Sequence, residues 1–460
     1  MRVLLLSTYE LGRQPIHLAS PAASLTKAGH NVKVLDLSVD QLDSDHLKDV
    51  DAIGISVPMH TAKRLADSLS VQVKSIRPGL PIAHYGLYAS AGDGTTGADV
   101  LIEGEYEPAL IKWVASLAVG EPFPETTHHT GKSDFSIPLR TGLQDLGQYA
   151  RLEHDGKAVV AGAVEASHGC RHRCRHCPIP AVYDGRMRVV PAETVLADMA
   201  QLVDLGAGHV TFGDPDFLNA PRHSMDLLRE ANARFPDLTF DITVKVEHIV
   251  HHAGLWTEMA KLGVLFVVSA FESVDEETLE ILDKGHSVAD MREASQLIRG
   301  AGIHIRPTWL PFMPWTQTQH LIDLVEFLDS EDLTSATDPV QLAIKLLIPR
   351  GSLLENHPSV VPFLEGYDPG ALTWQWRFEH PDVEFLHKEL ENVAAEASDC
   401  GQETHHTLTQ MRNVLSAATA RTFPPLSAPS FNVPRLSESW FCCAEPTAGQ
   451  TVSLRMATPR

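Results

Sequence analysis

The sequence predicts an α/β protein. An N-terminal Rossmann-like parallel sheet is followed by a partial (βα)6 TIM barrel and a helical C-terminal region with a cysteine-bearing tail. Three observations predict this. Short runs that are apolar throughout alternate with helix-like stretches over the first 350 residues, as parallel strands buried on both faces do. In the middle of the chain, polar residues recur directly after those runs, where barrels of this kind keep their active residues. Three of the six cysteines crowd into residues 170–177.

Composition bounds the answer. At about 100–200 residues per domain, 460 residues imply two to four domains. With 43% hydrophobic and 21% charged residues, the chain can bury real cores. Its net charge, 37 − 59 = −22, repels phosphate backbones and anionic lipid, so neither nucleic acid nor a membrane is an expected partner. No apolar run reaches the ~18 residues needed to span a bilayer. The run Met1–Leu6 is too short for a signal peptide and reads as a buried first strand. Crowded cysteines (170, 174, 177) and adjacent ones (442, 443) suit metal or redox chemistry in a reducing compartment, and a cytoplasmic location is expected.

Strands are expected at 3–7, 32–37, 51–57, 81–86 and 98–102, with helices at 20–28 and 61–76 between them. A parallel sheet of this kind binds ligands beyond the carboxyl ends of its strands. The stretches Gly54-Ile55-Ser56-Val57-Pro58-Met59 and Gly104-Glu105-Tyr106-Glu107 resemble those of a cobalamin-binding domain, which assigns residues 1–120 to such a unit. The Asp-x-His-x-x-Gly motif, whose histidine ligates cobalt in some of these domains, is absent after the first strand. His17 and His60 lie near the right loops but read as solvated side chains, and a scaffold or substrate-binding lobe is the plainer alternative. Residues 121–156, with their prolines and His128-His129, read as a surface connector.

The barrel is expected over 157–350, with strands at 159–165, 209–213, 238–245, 264–270, 303–309 and 340–347. After the first comes Cys170-x3-Cys174-x2-Cys177. Thiolates suit iron–sulfur clusters or zinc. A cubane has four irons, so three thiolates leave one iron without a protein ligand. This loop resembles that of the radical S-adenosylmethionine (SAM) superfamily, in which the open iron of a [4Fe-4S] cluster chelates SAM. His176 stands where the superfamily usually has an aromatic. A zinc site with His172 or His176 as fourth ligand is the alternative, but such sites normally show a second Cys/His pair at short range.

The resemblance implies further SAM contacts at the strand ends. Asp214 and Asp216 would grip the amino group. Glu247 follows strand three, and Ser269 and Glu272 lie in the segment near the ribose and carboxylate. Arg306 on strand five could pair with the SAM carboxylate through its planar fork. Lys284-Gly285 reads as a helix terminus. Arg171, Arg173 and Arg175 read as surface charge, as an offset to the cluster, or as contacts for an anionic substrate.

A helical extension is expected over 351–420, with Cys400-Gly401 as a break, and a proline-rich tail over 421–460. The tail holds Cys442-Cys443-Ala444-Glu445-Pro446, and barrel and tail together resemble the CUAEP/CCAEP-tail radical SAM proteins. Some of these have selenocysteine where Cys443 stands. That implies catalytic roles for Cys442 and Cys443 toward a soft metalloid or redox centre. A disulfide between them would be strained.

The expected function is therefore reductive cleavage of SAM to a carbon radical, for alkyl transfer or C–H activation on a small molecule. Electrons would come from a donor such as flavodoxin or ferredoxin. Three alternatives stand beside it: transfer of a 3-amino-3-carboxypropyl group to arsenic, as in arsinothricin biosynthesis; cobalamin-dependent methyl transfer; and a non-catalytic iron–sulfur protein, which usually saturates its cluster with four protein ligands.

Overall fold

The computed structural model describes residues 1–92, 97–132, 134–427 and 433–438. Cys442 and Cys443 lie outside the described residues.

The first part of the chain alternates as β1 (Arg2–Ser7), α1 (Ile16–Lys27), β2 (Asn31–Asp36), α2 (Ser44–Lys48), β3 (Ala52–Ser56), α3 (His60–Ile76), β4 (Ile82–Tyr85), β5 (Val100–Gly104), α4 (Glu107–Val119) and β6 (Thr126–His129). All six strands are parallel, in the order β2-β1-β3-β4-β5-β6. The central β3 is buried along its whole length, so its apolar sequence needs no alternation. β6 comes from the stretch read as a connector; its alternating exposure explains why it carries little apolar signal.

The second part opens with β7 (Arg151–His154), β8 (Lys157–Val164), β9 (Ser167–Gly169), α5 (Ile179–Tyr183), β10 (Met187–Val189) and α6 (Ala192–Asp204). It continues through β11 (His209–Phe212), α7 (Pro221–Arg234), β12 (Thr239–Thr243), α8 (Val246–His251), α9 (Trp256–Lys261), β13 (Val264–Glu272), α10 (Glu276–Leu282), α11 (Val288–Gly300), β14 (His304–Trp309) and α12 (Thr318–Ser330). β8, β11, β12, β13 and β14 form a parallel, curled half-barrel; β7 and then β17 (Arg435–Leu436) extend it antiparallel. Gly162 lets α6 approach β8, since a Cβ there would lie 2.8 Å from Leu202. The fold class is as expected, with one correction. The sixth strand expected at 340–347 is a 3-10 turn, Pro339–Ala343, followed by a single parallel bridge between Phe312 and Lys345. The C-terminal region adds the hairpin β15 (Leu364–Asp368) and β16 (Thr373–Trp376), then α13 (Pro381–Cys400) and α14 (Thr404–Thr419), which break at Gly401. Among the described residues, no helix is long and apolar enough to cross a membrane.

One buried side chain ties these parts together. Arg140 gives Nε and Nη2 to the two oxygens of Asp198 on α6, at 2.9 and 2.7 Å. Nη2 also donates to the Ala163 carbonyl on β8, and Nη1 to Gln14 Oε1 ahead of α1. Breaking a buried ion pair from one side strands a charge and costs about 3–5 kcal/mol. Arg140→Leu is expected to lower urea-unfolding stability by that amount, with Arg140→Leu/Asp198→Leu recovering much of it. A double variant no more stable than the single one would contradict this.

Candidate functional site

The cysteine loop leaves the carboxyl end of β8 and is anchored on both arms. On the entry arm, Asp214, just after β11, accepts hydrogen bonds from the Ala166 amide at 2.9 Å and from the Ser167 hydroxyl. Burial pushes Asp214 up to about 7 against those two donors. Its oxygens thus hold the loop. Gly169, at φ +72°, then turns the chain into Cys170; a Cβ there would lie 2.5 Å from the Arg186 carbonyl.

On the exit arm, Arg175 caps α10. Its amide donates to the Leu282 carbonyl and its Nη1 to the carbonyls of Glu280 and Ile281. Arg173 pairs with Asp184 on the surface. His176 Nε2 lies 3.0 Å from Glu272 Oε1, and Lys284 Nζ lies 3.1 Å from the same oxygen. Burial opposes ionisation of Glu272, but the Lys284 ammonium and His176 outweigh it and hold the carboxyl well below its ordinary range. Glu272 adopts φ +66° at an irregularity in β13, which swings it toward the loop. Lys284, read from sequence as a helix terminus, is 3% exposed and has Cys174 and Cys177 within its electrostatic reach.

The thiols fit a cluster. Burial pushes Cys177 up to about 12 and Cys170 upward as well, so these sulfurs ionise only beside a cation. Asn219 Nδ2 donates to Cys170 Sγ at 3.3 Å. Around the loop, His176 Nδ1, Asn219 Oδ1, Ser269 Oγ and His286 Nδ1 are buried without a hydrogen-bond partner. Buried polar atoms are rarely left so, and four around one loop point to a polar ligand. The zinc alternative is not supported, because neither candidate fourth ligand turns to the thiols. His176 faces Glu272, and His172 lies among Lys245, His248 and Asp216.

The other expected SAM residues divide. Ser269 is buried with its hydroxyl unpartnered. Glu247 opens α8 and pairs with Lys245 at 3.3 Å. Arg306 is engaged by Asp338 at 2.6 Å and by the Pro434 carbonyl, so its fork is already filled within the protein.

The carboxyl ends of the two sheets meet at the cysteine loop through residues that sequence reading did not single out as a set. His17 on α1 lies 2.9 Å from Glu10, after β1, and 3.5 Å from Glu165, after β8. His168, two residues before Cys170, lies 3.1 Å from Glu105, after β5, and 3.2 Å from Glu165. Tyr183 donates to Glu105 at 3.1 Å. His17 is thus no solvated side chain. His60 is buried too, and contacts the Ala371 carbonyl at 2.7 Å. The carboxyl-end rule applied to β5 would have flagged Glu105.

The comparisons agree with this geometry. The radical SAM superfamily matches over residues 164–328, from the end of β8 into α12. Those residues are a radical SAM domain. The hopanoid C-3 methylase of Methylococcus capsulatus is 25% identical over 317 residues, covering 64% of this chain and 60% of that protein. The hopanoid C-2 methylase of Rhodopseudomonas palustris is 22% identical, covering 60% and 52%. The chain thus matches only about half to three-fifths of the length of these curated relatives. Two solved structures share the fold. The radical SAM methyltransferase TsrM of Kitasatospora setae has a TM-score of 0.55 at 16% identity, covering 72% of this chain and 71% of that one. The cobalamin-dependent radical enzyme OxsB has a TM-score of 0.60 at 13% identity, covering 86% and 66%.

The interface network titrates. Burial opposes charge on His17, but Glu10 and Glu165 outweigh it and raise the ring from 6.5 to about 9. The folded value lies above the unfolded one. The stabilisation is therefore full below about pH 6.5 and lost as pH rises through about 9. It amounts to roughly 2–3 kcal/mol at neutral pH. His17→Gln is expected to melt well below the wild type at pH 6.5, with the gap narrowing by pH 10. A gap unchanged across that range would contradict the assignment.

Proposed function

We propose that the protein is a cobalamin-dependent radical SAM methyltransferase acting on a carbon of a small molecule, in a reducing cytoplasm, with electrons from a flavodoxin or ferredoxin. One observation carries this reading. The carboxyl ends of the N-terminal parallel sheet face the three-cysteine loop across the His17–Glu165–His168–Glu105 network, so ligands of both sheets would meet there. The hopanoid methylases, TsrM and OxsB support the choice of methyl transfer. No relative speaks for arsenic, and the thiols on which that alternative leaned lie outside the described residues.

When bound, a [4Fe-4S] cluster supplies the electron that cleaves SAM, and a cobalamin supplies the carrier for its methyl group. Cys170, Cys174 and Cys177 would hold the cluster. Asp214 and Glu272 act as positioning residues, fixing the two arms of the loop. Lys284 places a buried positive charge beside anionic sulfur. Ser269 offers a free hydroxyl to SAM. Glu10 Oε2 and Ser90 Oγ, buried and unpartnered after β1 and β4, offer polar contacts to a corrin's amide groups.

Anaerobically reconstituted protein, supplied with hydroxocobalamin, methyl-labelled SAM and dithionite, is expected to retain about one corrin and release S-adenosylhomocysteine. Cys174→Ser should lose the SAM-derived products at least 100-fold. Absence of bound corrin would refute the methyltransferase reading, and methylthioadenosine as the main product would point to 3-amino-3-carboxypropyl transfer instead.

A further inference from the structure

A second set of metal-ligating side chains gathers at the barrel mouth. His172 lies between the first two cysteines, Asp216 follows β11, and His248 sits on α8. One ligand atom from each lies within 4.8 Å of the others. His172 Nε2 and His248 Nε2 are 3.3 Å apart. Two nitrogens each about 2.0–2.1 Å from a tetrahedral ion are separated by roughly that distance. Asp216 Oδ2 lies 3.7 Å from His172 Nε2 and 2.7 Å from His248 Nδ1.

The carboxylate is the decisive member. Asp216 is 1% exposed. Its Oδ1 accepts from the Leu218 amide at 3.0 Å, which fixes the group. Its Oδ2 is buried with no hydrogen-bond partner, and so is His248 Nδ1, although the two are close. Their contact lacks hydrogen-bonding geometry. A desolvated carboxylate oxygen facing two imidazoles is costly unless a cation lies among them.

The outer groups fit as well. A ligating imidazole passes its other N–H to a carboxylate. Glu247 Oε2 stands 3.7 Å from His172 Nδ1. Lys245 Nζ now lies 2.9 Å from that nitrogen and 3.3 Å from Glu247. With an ion on Nε2, the ring's proton sits on Nδ1 and turns to Glu247, and Lys245 pairs with the same carboxylate.

We propose that His172, Asp216 and His248 bind one first-row divalent cation, Zn2+ or Fe2+, as a mononuclear centre separate from the three cysteines. Two imidazoles and one carboxylate suit these metals. The ligand set leaves a coordination position for water or for an oxygen or nitrogen of a small molecule, and the two histidines keep 19% and 17% exposure on that side. The site does not depend on the methyltransferase reading.

The test uses full-length, cluster-reconstituted protein incubated with Zn2+, desalted, and assayed for zinc, iron and sulfide. Wild type is expected to keep one zinc beside its cluster iron. His248→Ala should keep less than a tenth of that with iron and sulfide unchanged, while His251→Ala, an exposed neighbour on the same helix, keeps one. No zinc in the wild type, or full zinc in His248→Ala, overturns the proposal. Should His248→Ala fail to take up a cluster, the zinc X-ray absorption of the wild type decides. Nitrogen and oxygen scatterers alone support the site. Sulfur in the first shell places zinc on the cysteines and overturns it.

Discussion

Everything at this site depends on holding three buried thiols in a short loop at the carboxyl ends of parallel strands. Buried sulfur resists ionisation, and a loop is mobile unless its arms are tied. Two carboxylates tie it. Asp214 takes the entry arm through a backbone amide and a hydroxyl, and Glu272 takes the exit arm through His176. Both carboxylates belong to other strands of the same half-barrel, so the sheet's register fixes the loop's geometry. Lys284 completes the arrangement by balancing Glu272 and by placing positive charge near two of the sulfurs. In place of the usual aromatic before the third cysteine, this chain uses a histidine that reaches a buried acid.

The same logic governs the junction between the two sheets. An acidic chain with net charge −22 brings Glu10, Glu105 and Glu165 close together, which is unfavourable unless cations intervene. His17 and His168 supply them, and burial strengthens each pair. Burial also opposes charge on Glu165, yet the two rings hold it down to about 2. Arg140 makes a second, deeper tie between the parts. The mouth is thus a polar seam with an aligned charge pattern.

Much of this was legible in the sequence, for physical reasons. Strands buried on both faces announce themselves as unbroken apolar runs, and ligand spacing within eight residues is a local property. Polar residues at strand ends marked Asp214, Asp216, Glu247 and Glu272, although their partners were not visible. What escaped depends on contacts between distant residues. Lys284 finds Glu272 only because β13 and the turn after α10 converge, and His248 finds His172 across 76 positions. Arg140 lay in a stretch that looked like a plain connector. The run Val340–Leu347 misled because apolar sequence does not distinguish a strand from an irregular buried segment. Pro339 opens a 3-10 turn there, and only the Phe312–Lys345 bridge remains of the sixth strand.

The account rests on one iron of a cluster being left to SAM by a three-cysteine loop. The measurement that addresses this most directly is the Mössbauer spectrum of 57Fe-reconstituted protein with and without SAM. The account predicts that SAM changes the parameters of one iron in four and leaves the other three as they were. A spectrum with all four irons unaffected by SAM would contradict it.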